Sequence, residues 1–264
     1  MPAVNSMRFA LLALTALLLA ACTGGQVIDD SFSSRSQSSR VQYIVVHYTS
    51  TDLAHSLALL TQGEVSSHYL IGDSPATVYR LVDESRRAWH AGDSAWQGRT
   101  WLNASTIGIE LVNQGYEQGP HAAAWQPYSE AQIEALITLL KDLVKRHELP
   151  IDSIIGHSDI APQRKVDPGP LFPWQRLAEA GLIRWPDSAA VAREQARFAV
   201  ALPDVRWFQQ QLQQLGYSTP QSGELDKATR NVLAALQMKY RPARYDGEPD
   251  AQSAAILQVL NQKP

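Results

Sequence analysis

The feature that most constrains this chain is a β-branched run, Val41-Gln42-Tyr43-Ile44-Val45-Val46, that ends abruptly on His47. A short, nearly unbroken apolar run of this kind suits a strand buried on both faces. Two further segments have the same character. Ile107-Gly108-Ile109-Glu110-Leu111-Val112 is apolar with a single acid inside it, and Ile151 to Ile155 leads directly to Gly156-His157. Between them, Ser129 opens a helix, and Gln132 three residues on completes a capping box. Ile133, Leu136, Ile137, Leu140, Leu143 and Val144 then recur at helical spacing, and Pro150 lies beyond the end. Buried strands alternating with an amphipathic helix predict an α/β domain over 40–186, with a mixed central β-sheet flanked by helices.

The flanking segments differ in composition. Arg8 precedes an apolar run from Phe9 to Ala21 that is too short to span a bilayer and right for a signal peptide. It ends Leu19-Ala20-Ala21-Cys22, which resembles a bacterial lipobox. That resemblance implies a signal over 1–22, removal before Cys22 and lipidation of Cys22, the chain's single cysteine. Thr23 in place of Asp implies an outer-membrane lipoprotein facing the periplasm. Residues 23–39 are Ser-rich and read as a flexible tether. After Pro186, residues 187–200 are Ala-rich and polar and read as a helical or loose linker. The remainder, 201–264, has no strand signal but contains a repeat: Gly223-Glu224-Leu225-Asp226 matches Gly247-Glu248-Pro249-Asp250. In each copy a Gly turn leads to an Asp that can cap a helix. With Val205 to Leu215 this predicts a small all-α domain of three helices.

Net charge is −3, with no basic stripe, which argues against nucleic acid as a partner. With no second cysteine, a metal site must use nitrogen and oxygen ligands. His47 at a strand end, His157 after another strand and Asp167 ten residues on are candidate ligands. Two imidazoles and one carboxylate would leave a zinc ion a fourth position and a net positive charge. Spacing alone equally fits histidines that merely satisfy a core.

The surrounding sequence is more specific. His157-Ser158-Asp159-Ile160-Ala161-Pro162-Gln163-Arg164-Lys165-Val166-Asp167-Pro168-Gly169-Pro170 closely resembles the signature of zinc N-acetylmuramoyl-L-alanine amidases of the AmpD/AmiD type. So do His47-Tyr48-Thr49, Ser67-His68-Tyr69-Leu70-Ile71, Ala88-Trp89-His90-Ala91-Gly92 and the stretch from Asn103 to Asn113, in family order. The lipobox and C-terminal helices fit the lipoprotein branch. The resemblance implies one Zn2+ held by His47, His157 and Asp167, with Glu110 and Lys165 as the catalytic pair. It implies hydrolysis of the amide bond between N-acetylmuramic acid and L-alanine of peptidoglycan, at ordinary and 1,6-anhydro muramic ends.

His90, Asn113 and Arg164 are expected to meet substrate; His68 is expected to hydrogen-bond the sheet. His55, His121 and His147 are expected in surface or packing roles. Residues around Leu215-Gly216-Tyr217, Asp226 and Leu236-Gln237 resemble the three-helix peptidoglycan-binding domain, which implies a wall-binding module or a packing module. No seam for a homodimer identifies itself. The competing reading is a catalytically silent wall-binding protein on the same fold. The intact His47, His157, Asp167, Glu110 and Lys165 favour the enzyme. A zinc peptidase is disfavoured by the absence of a helical HExxH pattern.

Overall fold

The β-branched run folds as expected into β1 (Tyr43–Tyr48), the strand around which the sheet is built. The computed structural model describes residues 28–118 and 123–262. The expected signal segment over 1–22 and its lipidation site, Cys22, lie outside those residues, as does His121. From Ser39 onward the chain forms one compact unit.

After β1 come α1 (Leu53–Gln62), β2 (Tyr69–Ile71), β3 (Val78–Arg80), β4 (Ala95–Trp96), β5 (Arg99–Thr100) and β6 (Thr106–Leu111). Next are β7 (Tyr116–Gln118), β8 (Ala123–Trp125), α2 (Glu130–His147), β9 (Ile154–Gly156), α3 (His157–Ile160) and α4 (Trp174–Glu179). Four helices close the chain: α5 (Ser188–Val200), α6 (Val205–Leu215), α7 (Lys227–Tyr240) and α8 (Ala251–Asn261).

The main sheet has the order β3-β2-β6-β1-β9. β1 runs parallel to β6 and β9, β6 parallel to β2, and only the edge strand β3 is antiparallel. Side chains alternate across the pleat. Ile44, Val46, Ile107, Ile109, Leu111 and Ile154 point to one face, where Ile133, Leu136, Leu140 and Leu143 of α2 cover them. Tyr43, Val45 and Ile155 point to the other, where the core is shared with Phe208, Leu212, Val232, Leu236 and Leu257 of the C-terminal helices. The mixed sheet flanked by helices is thus present, but its second face is covered largely by the end of the chain.

One local expectation changes, and another is narrowed. The Ser129 hydroxyl does cap α2, accepting from the Gln132 N–H at 3.2 Å. The reciprocal half of the box does not form. The Gln132 side-chain amide instead donates to the carbonyls of Ile71 (3.2 Å) and Val112 (3.0 Å), tying the helix start to the ends of β2 and β6. A buried side-chain amide (Gln132 is 1% exposed) must find acceptors, and here the carbonyls at the ends of the sheet strands supply them. Residues 187–200 take the helical of their two expected forms: Asp187 caps α5 through the Ala190 N–H, and Phe198 is buried in the core shared with the last helices.

Candidate active site

The register of the two central strands sets His47 on β1 directly beside Glu110 on β6. Both lie on the face opposite α2, at the carboxyl ends of parallel strands, which is where open α/β sheets place their ligand crevices. β9 ends in Gly156, and His157 opens α3 immediately after it. The loop that follows returns Asp167 to the same point: the Ser158 N–H donates to the Asp167 carbonyl at 2.8 Å.

His47 Nδ1, His157 Nδ1 and one Asp167 carboxylate oxygen converge. The separations are 2.9 Å between the two nitrogens, 3.2 Å from His47 to the carboxylate and 3.0 Å from His157 to it. Tetrahedral zinc with bonds of about 2.05 Å needs ligand atoms about 3.3 Å apart. The three residues are buried and form a group of the right chemistry to hold a metal ion. Burial, followed by the facing His157, holds the His47 imidazole down at about 4, so it is neutral and available as a ligand at neutral pH. Burial opposes ionisation of Asp167, but the His157 and His47 imidazoles outweigh it and hold the carboxyl well below the usual range. Two neutral nitrogens and one anion leave a divalent ion with a net positive charge.

The far side of each imidazole is also held. His47 Nε2 lies 3.0 Å from His90 Nδ1, and His90 Nε2 lies 3.1 Å from the Thr106 hydroxyl, which donates to the Leu102 carbonyl at 2.8 Å. With His47 Nδ1 facing the ligand cluster, each remaining proton has one direction: His47 Nε2–H to His90, His90 Nε2–H to Thr106, Thr106 O–H to Leu102. His157 Nε2–H points at the Ala91 carbonyl at 3.3 Å. Such partners fix the tautomer and ring orientation of metal-binding histidines. Gly108 makes room for this chain, since a Cβ there would lie 2.4 Å from His90 Cγ. The Asn103 side-chain carbonyl accepts from the backbone N–H groups of His90 (3.0 Å) and Ala91 (2.7 Å).

A cleft of about 470 Å³ opens over the cluster, within the usual range for small-molecule sites. Glu110 and Lys165 line it along with the three candidate ligands. One carboxylate oxygen of Glu110 is buried with no hydrogen-bond partner. Burial, then the Asp167 charge, push the Glu110 carboxyl up to about 8, against the opposing pull of the Lys165 ammonium. A positive ion held by His47, His157 and Asp167 would draw this carboxyl back toward its ionised form, and an unpartnered carboxylate beside such an ion is the arrangement expected of a general base. The donor set and this open oxygen therefore both fit a catalytic metal.

The three residues expected to meet substrate are placed differently. His90 does reach the cleft, but both its ring nitrogens are engaged, as just described. Arg164 lines the cleft too, yet its guanidinium donates to the backbone carbonyls of Asp93 and Ala91 and so braces the 91–93 loop. Asn113 is only 2% exposed and is not among the cleft residues; its amide donates to the carbonyls of Gln126 and Pro127, and its oxygen accepts from the Gly115 N–H. Asn113 is a loop-holding residue here. His68 behaves as expected, accepting from the Gly108 N–H at 3.0 Å and donating to the Arg86 carbonyl at 3.2 Å. His55 is exposed beside Asp52, and His147 packs against Glu84. Residues that the sequence reading left unassigned complete the wall: Tyr48, Leu59, Val65 and a half-exposed Trp89. Tyr48 and Trp89 lie within the His47 and His90 blocks, whereas Leu59 and Val65 lie outside them and carried no local signal.

Comparison with known proteins agrees with this geometry. Residues 37–170 match the N-acetylmuramoyl-L-alanine amidase family, and residues 202–257 match a peptidoglycan binding domain. The chain is 41% identical to N-acetylmuramoyl-L-alanine amidase AmiD of Escherichia coli (strain K12), with 97% of this chain and 98% of that protein covered. Among solved structures, it resembles AmiD from E. coli in complex with the substrate anhydro-N-acetylmuramic acid-L-Ala-D-gamma-Glu-L-Lys. That likeness has a TM-score of 0.79 at 38% identity and covers 89% of this chain and 94% of that one. It also resembles AmpDh3 from Pseudomonas aeruginosa in complex with anhydromuramic pentapeptide, with a TM-score of 0.82 at 36% identity and coverage of 89% and 97%. The chain therefore belongs to the N-acetylmuramoyl-L-alanine amidase family.

Proposed function

We propose that this protein is a zinc-dependent amidase that cleaves the bond between N-acetylmuramic acid and L-alanine in peptidoglycan, at both ordinary and 1,6-anhydro muramic ends. The observation that carries the reading is the convergence of His47, His157 and Asp167 within 3.2 Å of one another, next to the open carboxylate oxygen of Glu110. The complexes of AmiD and AmpDh3 with anhydromuramyl peptides support the choice of substrate.

His47 Nδ1, His157 Nδ1 and Asp167 would hold the single zinc ion. When bound, that ion supplies Lewis acidity and lowers the pKa of water at the site. Glu110, whose buried oxygen has no other partner, takes the proton from the attacking water and returns it to the departing L-alanine nitrogen. The Lys165 ammonium, lining the same cleft, faces the charge that develops on the lactyl oxygen. Val65, Leu59 and Trp89, each about half exposed, give the cleft an apolar wall on one side.

We place the enzyme in the periplasm, tethered to the outer membrane through Cys22, a reading supported by the Leu19-Ala20-Ala21-Cys22 sequence and the Ser-rich stretch after it. No helix among the described residues is long and apolar enough to cross a membrane.

The test is to digest purified cell wall with and without a chelator and to label the new amino termini. L-Alanine ends, lost on chelation, are expected. New D-amino acid or sugar reducing ends would overturn the assignment, and wall binding without any release would favour the silent wall-binding protein.

A further inference from the structure

The corner that carries His157 is held from the far end of the chain. Asp159, two residues after His157 and only 1% exposed, turns back on its own helix. One carboxylate oxygen accepts from the Gly156 N–H at 2.8 Å and from the Lys239 ammonium at 2.8 Å. The other accepts from the Tyr217 hydroxyl at 2.7 Å. Lys239 lies on α7, and Tyr217 follows α6; both belong to the region that matches a peptidoglycan binding domain. Neither reaches solvent appreciably: Lys239 is 7% exposed and Tyr217 2%. The Lys239 ammonium also sits 4.2 Å above the Trp174 ring.

The docking around these contacts is close. Tyr217 meets Trp96 edge-on at 4.9 Å, and the Gln97 N–H donates to the Gly216 carbonyl at 2.8 Å. A Cβ on Gly216 would lie 2.9 Å from Gln97 Cγ and 3.0 Å from the Trp96 ring. A module that served only to bind wall from a flexible connection would have no need of this. Nor is a buried ion pair an economical way to fasten two domains, because desolvation offsets much of its attraction and apolar side chains pack as well. What an ion pair adds is direction, and this one is directed at the backbone turn from which His157 emerges.

We propose that the C-terminal helical module is a positioning element of the metal site. Lys239 and Tyr217 fix Asp159, Asp159 fixes the Gly156–His157 corner, and the corner aims His157 Nδ1 at His47 and Asp167. The inference rests on His157 being a zinc ligand, as proposed above. It makes the module part of the catalytic unit, whether or not it also binds wall.

The test is zinc affinity of the full-length protein, measured by competition with a chromogenic chelator, alongside thermal unfolding and turnover of a soluble muropeptide. Wild type is expected to bind one zinc; if it binds none, the amidase reading itself fails. Lys239→Met, which keeps the length and removes the charge, is expected to weaken zinc binding at least about tenfold, the scale of other outer-shell losses. Adding Asp159→Asn to Lys239→Met removes the uncompensated charge and keeps an acceptor for the Gly156 amide but leaves the Lys239 link missing, so affinity should stay well below wild type; full recovery would assign the loss to an unpaired buried charge and overturn the positioning role. If Lys239→Met lowers the unfolding temperature but leaves zinc affinity and turnover within about twofold of wild type, far short of an outer-shell loss, the module only packs and the proposal is overturned. Should Lys239→Met fail to fold, Tyr217→Phe carries the test. Loss of that one hydroxyl should weaken zinc binding measurably, and an unchanged affinity would overturn the proposal.

Discussion

His47 and His90 share a hydrogen bond of 3.0 Å between Nε2 of the first and Nδ1 of the second, with their rings nearly perpendicular at 85°. The bond leaves His47 Nδ1 free of its proton and pointed at His157 and Asp167. His90→Ala is expected to lower zinc affinity about 10–100-fold, with little change in fold, as measured by chelator competition. Gly108→Ala tests the same relationship without touching either histidine, because its Cβ would lie 2.4 Å from the His90 ring. A normal affinity in both variants would remove His90 from the site's machinery.

Glu110 should be needed for turnover and not for the metal. Glu110→Gln keeps the shape and abolishes proton transfer, so kcat should fall about 10²–10⁴-fold while one zinc per chain remains by elemental analysis. Loss of zinc together with activity would instead make Glu110 a ligand.

Lys165→Met removes a charge that stands close enough to Glu110 to draw its carboxyl downward. The expected loss is in kcat with little change in KM, because the interaction belongs to the developing oxyanion. In the absence of zinc the Glu110 carboxyl should titrate higher in this variant than in wild type, a shift that carboxyl NMR can read.

Acid stability should depend on Glu84. It accepts from Arg146 at 2.6 and 2.8 Å, from His147 at 2.7 Å and from the Tyr69 hydroxyl. The Arg146 guanidinium, working against burial and aided by Tyr69 and His147, holds the Glu84 carboxyl at about 2, against 4.5 when free. A lowered pKa means that the folded state binds the proton less well than the unfolded one. The contribution is therefore complete above pH 4.5 and is lost as pH falls toward 2. Denaturant midpoints should fall more steeply across that window in wild type than in Glu84→Gln; parallel curves would assign the acid sensitivity elsewhere.

Cys22→Ser, which removes the proposed site of lipidation, should release the protein from the membrane fraction. Retention of the variant in membranes would point to another attachment. Fractionation of cells expressing each form decides between them.

The sequence by itself determined the central strands, the α2 face and the short list of reactive residues. Each of these rests on local pattern: β-branched runs for β1 and β6, 3.6-residue periodicity for α2, and contiguous polar blocks around His47 and His157 that a core would not require. It did not determine which of those residues touch one another. That His47 stands beside Glu110 follows from a parallel register between strands some sixty residues apart, which no local pattern encodes. The roles of Gln132, His90, Arg164 and Asn113 were likewise decided by where accepting carbonyls and ring nitrogens lay after folding. A side chain with several polar atoms takes whichever partner the packed structure leaves open. The same holds for residues 187–200 and for Lys239 and Tyr217. Their helices were legible, but only the tertiary structure shows them closing the second face of the sheet and reaching the corner that bears His157.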